Sequence, residues 1–110
     1  ALGEKAILVT GVANGKAVKN QLNGYEVLSH FDYADHKAFD VSNIKEWLGE
    51  CLLLNVQNIV VTRKDAGKVK DIIKMNGIDT QGISFYEIHT EVVILFDQEK
   101  QFKNSLINLI

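Results

Sequence analysis

The chain reads as an α/β domain, a Rossmann-like three-layer α/β/α fold on a mostly parallel sheet of four to five strands. Three observations predict it. Short apolar runs alternate with amphipathic helical stretches, in the order β-α-β-α-β-α-β(-β)-α. Strands separated by helices pair in parallel, through right-handed crossovers. The runs at 6–9 and 58–61 are apolar without alternation, as befits strands covered on both faces. The length of 110 residues, with 46% hydrophobic and 24% charged side chains, matches one globular domain over 1–110.

The elements follow in order. Residues 6–9 (AILV) form the first strand and end in Thr10-Gly11. Residues 16–22 form a short helix, stopped at Asn23-Gly24 by a left-handed cap. Residues 25–31 alternate as a second strand, and 32–40 make a polar loop holding two aromatics. Ser42 or Asp40 caps the next helix, whose stripe is Ile44, Trp47, Leu48, Cys51 and Leu52. The third strand covers 58–61. Asp65 then caps a helix with Val69, Ile72 and Ile73 on one face, ended by Asn76-Gly77. Residues 83–96 are extended and apolar around His89-Thr90, as two strands or one long bent one. Residues 98–110 close the chain as a helix with Phe102, Leu106, Leu109 and Ile110 on one face.

Composition narrows the function classes. A net charge of −2 argues against a dedicated nucleic-acid binder. A single cysteine, Cys51, cannot form an internal disulfide, and it lies on an apolar stripe as a buried, inert thiol. No run approaches the roughly 20 apolar residues that span a bilayer, and no signal peptide is present, so the chain is expected to be soluble. It starts at Ala1 and enters a strand almost at once, which predicts a piece cut from a longer protein.

In a parallel sheet every loop that follows a strand emerges at the carboxyl edge, where ligands of open α/β sheets bind. Residues 11–15, 32–39 and 62–65 meet that description. The first opens a helix with glycines that admit an anion, yet it departs from a Walker loop. Three residues, not four, separate Gly11 from Gly15, and Ala17 follows Lys16. A plain tight turn and a polar contact through Asn14 both fit. In the second loop, Asp35-His36 is either a solvated pair or an acid–base site, since imidazole titrates near neutrality. In the third, Asp65 is a helix cap, Arg63 and Lys64 either meet a phosphate or are plain solvated cations, and Thr62 and Lys64 either contact a ligand or brace the loops. Lys68, Lys70 and Lys74 read as the wet face of that helix. His30 and His89 lack metal-ligand spacing, so no metal site is expected.

Each loop also resembles a segment of one family. Val9-Thr10-Gly11-Val12-Ala13-Asn14-Gly15 is similar to G-I-[GA]-N-P, and Tyr33-Ala34-Asp35-His36-Lys37-Ala38-Phe39 to [FY]-P-D-H-H-x-[FY]. Thr62-Arg63-Lys64-Asp65-Ala66-Gly67-Lys68 is similar to T-E-K-D-A-x-K. In that order and spacing the chain resembles the C-terminal domain of tetraacyldisaccharide 4′-kinases, the lipid A kinases. Gly15 and Ala34 stand where those segments have proline, Lys37 where the second has its second histidine, and Arg63 where the third has glutamate.

The resemblance implies ATP-dependent phosphorylation of the 4′-hydroxyl of tetraacyldisaccharide 1-phosphate in lipid A biosynthesis. It implies His36 and Asp35 as catalytic residues, with Asn14, Thr62, Lys64 and Asp65 lining the substrate or nucleotide cleft. ATP and Mg2+ would be bound mainly by an N-terminal P-loop domain outside this chain, which alone would be inactive. The other partner would be the acylated disaccharide lipid. The parent would sit peripherally at the cytoplasmic face of the bacterial inner membrane. The alternative is a non-catalytic Rossmann-like ligand-binding or docking module of another multidomain protein, because fold does not decide function.

Overall fold

The computed structural model describes residues 4–22, 24–94 and 100–109. Strands β1 (Glu4–Thr10), β2 (Tyr25–Asp32), β3 (Asn58–Thr62), β4 (Ser84–Ile94) and β5 (Lys100–Asn108) form one sheet in the order β2-β1-β3-β4-β5. The first four run parallel, and β5 is antiparallel to β4. Helix α1 (Gly15–Asn20) follows β1, α2 (Val41–Leu54) follows β2, and α3 (Arg63–Asn76) follows β3. The expected three-layer α/β fold is present.

The helices divide between the two faces as strand order and right-handed crossovers require. On one face Ile7, Val9, Ile59, Val61 and Phe85 pack against Ile44, Trp47, Leu48 and Cys51 of α2 and Ala66, Val69 and Ile73 of α3. On the other, Ala6, Leu8, Val60 and Ile88 meet Val18 of α1 and the buried Leu22. The α1 layer is thin, because that helix has 6 residues against 14 in each of the others. The direction of crossover reverses between β1 and β3, which makes their carboxyl ends the topological switch point.

A β-bulge shapes the edge strand. Ala6 pairs with Val27 but Ile7 pairs with Ser29, so Leu28 is the extra residue. One inserted residue reverses the facing of everything after it. Tyr25 and Val27 therefore pack on the α1 face, whereas Phe31 packs on the α2 and α3 face. His30 and Asp32 thereby come to the side of Thr10.

Several sequence expectations change. Where a closing helix over 98–110 is expected, Lys100–Asn108 form β5. Phe102 and Leu106 are four apart, an even spacing that satisfies a period of two as well as a helical turn. The run at 83–96 is one strand through Ile94, and it pairs with β3 only as far as Ile88. Asp65 is not the N-cap of α3. Thr62 is, because β3 passes directly into the helix. For α2 the cap is Asp40, in a reciprocal box with Asn43. Helix α1 stops at Gln21 in ordinary right-handed geometry, earlier than expected, and the left-handed turn falls on Gly24. Leu52 leaves the α2 stripe and is 60% exposed. Asn23, Gln98 and Ile110, and residues 95 and 96 of the extended run, lie outside the described residues.

Candidate functional site

The three loops meet at one rim. The Tyr33 N–H donates to the Thr10 carbonyl at 2.7 Å, and the His36 N–H to the Gly11 carbonyl at 3.2 Å. The Gly11 N–H in turn donates to Asp65 Oδ2 at 2.8 Å. Main-chain bonds thus lace the second loop to the first, and the Asp65 carboxylate ties the first to α3.

Aromatic anchors hold both ends of the second loop. Tyr33 and Phe39 lie edge-on at 5.3 Å between centroids, and Phe39 meets Trp47 of α2 at 5.2 Å. The Trp47 indole N–H donates to the Tyr33 hydroxyl at 3.0 Å, which satisfies a fully buried donor. Between these anchors the chain turns outward. His36 adopts φ +62°, a left-handed conformation uncommon for a side-chain-bearing residue.

At the tip, Asp35 meets an ammonium and an imidazole. Lys64 Nζ donates to its Oδ1 at 2.6 Å, while His36 Nε2 lies 3.5 Å from Oδ2. Lys64, ahead of His36, holds the Asp35 carboxyl below the usual carboxylate range. Asp35 therefore stays ionised at neutral pH, ready to balance an imidazolium. The His36 side chain is 75% exposed, so it reaches an incoming group without rearrangement.

The other expected cleft residues do different work. Asn14 Oδ1 caps α1 by accepting from the Ala17 N–H at 3.2 Å. Thr62 and Asp65 are buried beneath the rim and bonded to each other, the hydroxyl donating to Oδ2 at 2.7 Å. They brace the loops. His36, Asp35 and Lys64 are the predicted residues that gather at the surface.

A crevice of about 330 Å3 opens at the switch point beside them, between Val12 and Val18 on one side and Thr62, Arg63 and Lys64 on the other. A larger groove of about 590 Å3 lies between α2 and the turn after α3, but it holds none of the rim residues. Of the rim residues, Thr62 and Lys64 line this crevice, which lies where open α/β sheets bind ligands.

The amino-acid sequence matches the family model described as tetraacyldisaccharide-1-P 4′-kinase over residues 1–110. The chain belongs to the tetraacyldisaccharide-1-P 4′-kinase family. A tetraacyldisaccharide 4′-kinase of Cytophaga hutchinsonii is 27% identical over 99 residues, covering 88% of this chain and 27% of that protein. The chain thus spans about a quarter of the length of this curated kinase relative. No solved structure matches it.

Within this kinase family member, two features escaped sequence reasoning. Lys68, read as part of a wet face, turns inward, with Nζ donating to the Lys37 carbonyl at 3.3 Å and 3.6 Å from Asp65 Oδ1. Its three-residue spacing from Asp65 was the available signal. The second feature joins three side chains: Thr10 donates to Asp32 Oδ1 at 2.8 Å, and His30 Nε2 lies 2.8 Å from the same hydroxyl. With that proton given to Asp32, His30 Nε2 must be the donor to Thr10. Burial, opposed by Asp32 and aided by Lys19, pushes the His30 imidazole below its ordinary value. Only the bulge brings these three together, and it leaves no periodic trace.

Proposed function

We propose that this chain forms the acceptor side of an ATP-dependent kinase that phosphorylates the 4′-hydroxyl of tetraacyldisaccharide 1-phosphate. The family match over the whole chain carries this reading. The rim supports it, because an exposed imidazole beside an ionised carboxylate suits removal of a hydroxyl proton.

In this reading His36 takes the proton of the 4′-hydroxyl as its oxygen attacks, and Asp35 balances the imidazolium that results. Lys64 keeps Asp35 ionised and oriented. The phosphoryl group would come from ATP, with Mg2+ supplying charge neutralisation. The described residues do not fit either group. The loop from Gly11 to Gly15 is one residue short of a phosphate cradle. Magnesium takes oxygen ligands, but Asp35 is held by Lys64, and Asp65 is buried and committed to Gly11 and Thr62. No cluster of three His, Cys, Asp or Glu suited to a metal occurs among the described residues. Nucleotide and metal are therefore assigned to a P-loop domain outside this chain, which closes over the rim. The parent protein would act peripherally at the cytoplasmic face of the inner membrane, where its acylated substrate lies. No described helix is long and apolar enough to cross a membrane.

The test is lipid phosphorylation by the full-length parent carrying His36→Ala. Loss of a positioned general base is expected to lower kcat by about 10²–10⁴-fold. Unchanged kcat would overturn the assignment.

A further inference from the structure

We propose that Lys68 is a positioning residue that locks the His36 loop against α3 and influences phosphoryl transfer only through His36. The inference rests on the role of His36 proposed above. Its origin is the contact pattern of α3, whose first two turns hold three consecutive residues of the second loop.

Lys64 holds Asp35. Asp65 holds His36 through one intervening residue, since Gly11 donates its N–H to Asp65 Oδ2 and accepts the His36 N–H on its carbonyl. Lys68 holds Lys37 by donating to its carbonyl at 3.3 Å. The middle residue of the three carries the imidazole and the left-handed backbone. Such a conformation persists only where its surroundings over-determine it.

Lys68 contributes to two of these three contacts. Asp65 is fully buried, and its Oδ1 has no hydrogen-bond partner. The Lys68 ammonium, 3.6 Å away, is the cation paired with that carboxylate. A buried carboxylate needs such compensation to remain charged and to keep its grip on the Gly11 N–H. The same ammonium lies 5.9 Å from the centre of the Phe39 ring, over the anchor at the loop's far end. One cation thus ties together the carboxylate under the first loop, the carbonyl after His36 and the closing aromatic. The side chain is 37% exposed, so its replacement leaves the apolar core intact. Its loss would change where His36 points, and a displacement of about 1 Å can cost about 10²-fold in rate.

The experiment is a double-mutant cycle in the full-length parent, with kcat and KM for lipid phosphorylation and a thermal melt for each variant. Lys68→Met is expected to lower kcat by about 10²-fold with KM changed less than about twofold. Lys68→Arg, which keeps charge and donors, recovers most of the loss. In the His36→Ala background, Lys68→Met should cost less than about a further twofold, because the residue it positions is gone. If Lys68→Met does not fold, Lys68→Gln enters the same cycle. Losses that multiply in the double variant would overturn the proposal, as would full activity of Lys68→Met beside a collapsed His36→Ala. Full activity of His36→Ala itself would instead overturn the reading of His36 on which this one rests.

Discussion

Thr62 both ends a strand and begins a helix, and its hydroxyl serves both positions. It accepts the Asp65 N–H as the cap of α3 and donates to Asp65 Oδ2, a buried carboxylate. Thr62→Val is isosteric but removes a hydrogen bond to a buried charge. The expected loss is about 2 kcal/mol, seen as a lower urea midpoint at unchanged slope. Thr62→Ser, which keeps the hydroxyl, should lose far less. At this scale legibility was partial. The Thr-x-x-Asp spacing resembles a capping box and was available to read, yet it assigns the cap to Thr62 and not to Asp65. Cys51 is buried, as its place on the apolar stripe of α2 predicts. Burial, ahead of the Glu50 charge, pushes its thiol up to about 11, which leaves it protonated and inert. Lys68 was not legible, because a lysine on a polar face looks solvated until a buried carboxylate is found beside it.

Among the elements, α1 shows how a local choice depends on a distant strand. A Cβ on Gly15 would run into Asp32 Oδ1 and Thr10 Oγ1. Glycine stands at this position, where the family segment has proline, and leaves the volume that the Asp32 carboxylate occupies beside Thr10. Gly15→Ala is therefore expected to destabilise the fold by about 1–3 kcal/mol, the cost of overpacking. Gly67 lies inside α3 with nothing within 4 Å of an added Cβ. Gly67→Ala should stabilise by up to about 1 kcal/mol through helix propensity. Chemical denaturation of the two variants side by side checks both signs. Helices α2 and α3 were legible because long periodic stripes face the sheet. β5 was not, since its apolar spacing satisfies two periods, and neighbouring backbone decided between them.

For the whole molecule, stability should fall in two steps on acidification. His30 has a depressed pKa in the fold. Below its ordinary value of 6.5 the unfolded chain takes up a proton before the folded one does. Its contribution is complete above 6.5 and is lost as pH falls through the lower folded value. Asp35 and Asp40, depressed by Lys64 and by Ser42 respectively, add a second loss below the ordinary 3.8. Thermal melts between pH 8 and pH 3 should show both, each as a fall in Tm toward acid. His30→Gln should remove the upper step alone. A Tm that rises toward acid across the upper step would contradict the lowered pKa of the half-buried His30 imidazole.

The amino-acid sequence alone determined the alternation of strand and helix, and with it the parallel pairing and the carboxyl-edge loops. Apolar periodicity and crossover handedness are properties of the chain read in order. The three motif segments also identified the family and singled out Asp35 and His36. The tertiary structure decided what those loops do to one another. Lys64 takes Asp35 ahead of His36, Asp65 grips Gly11, Lys68 closes on Lys37, and a bulge brings His30 and Asp32 to Thr10. These contacts join residues far apart in the chain. They depend on burial and register, which arise only when the sheet has assembled.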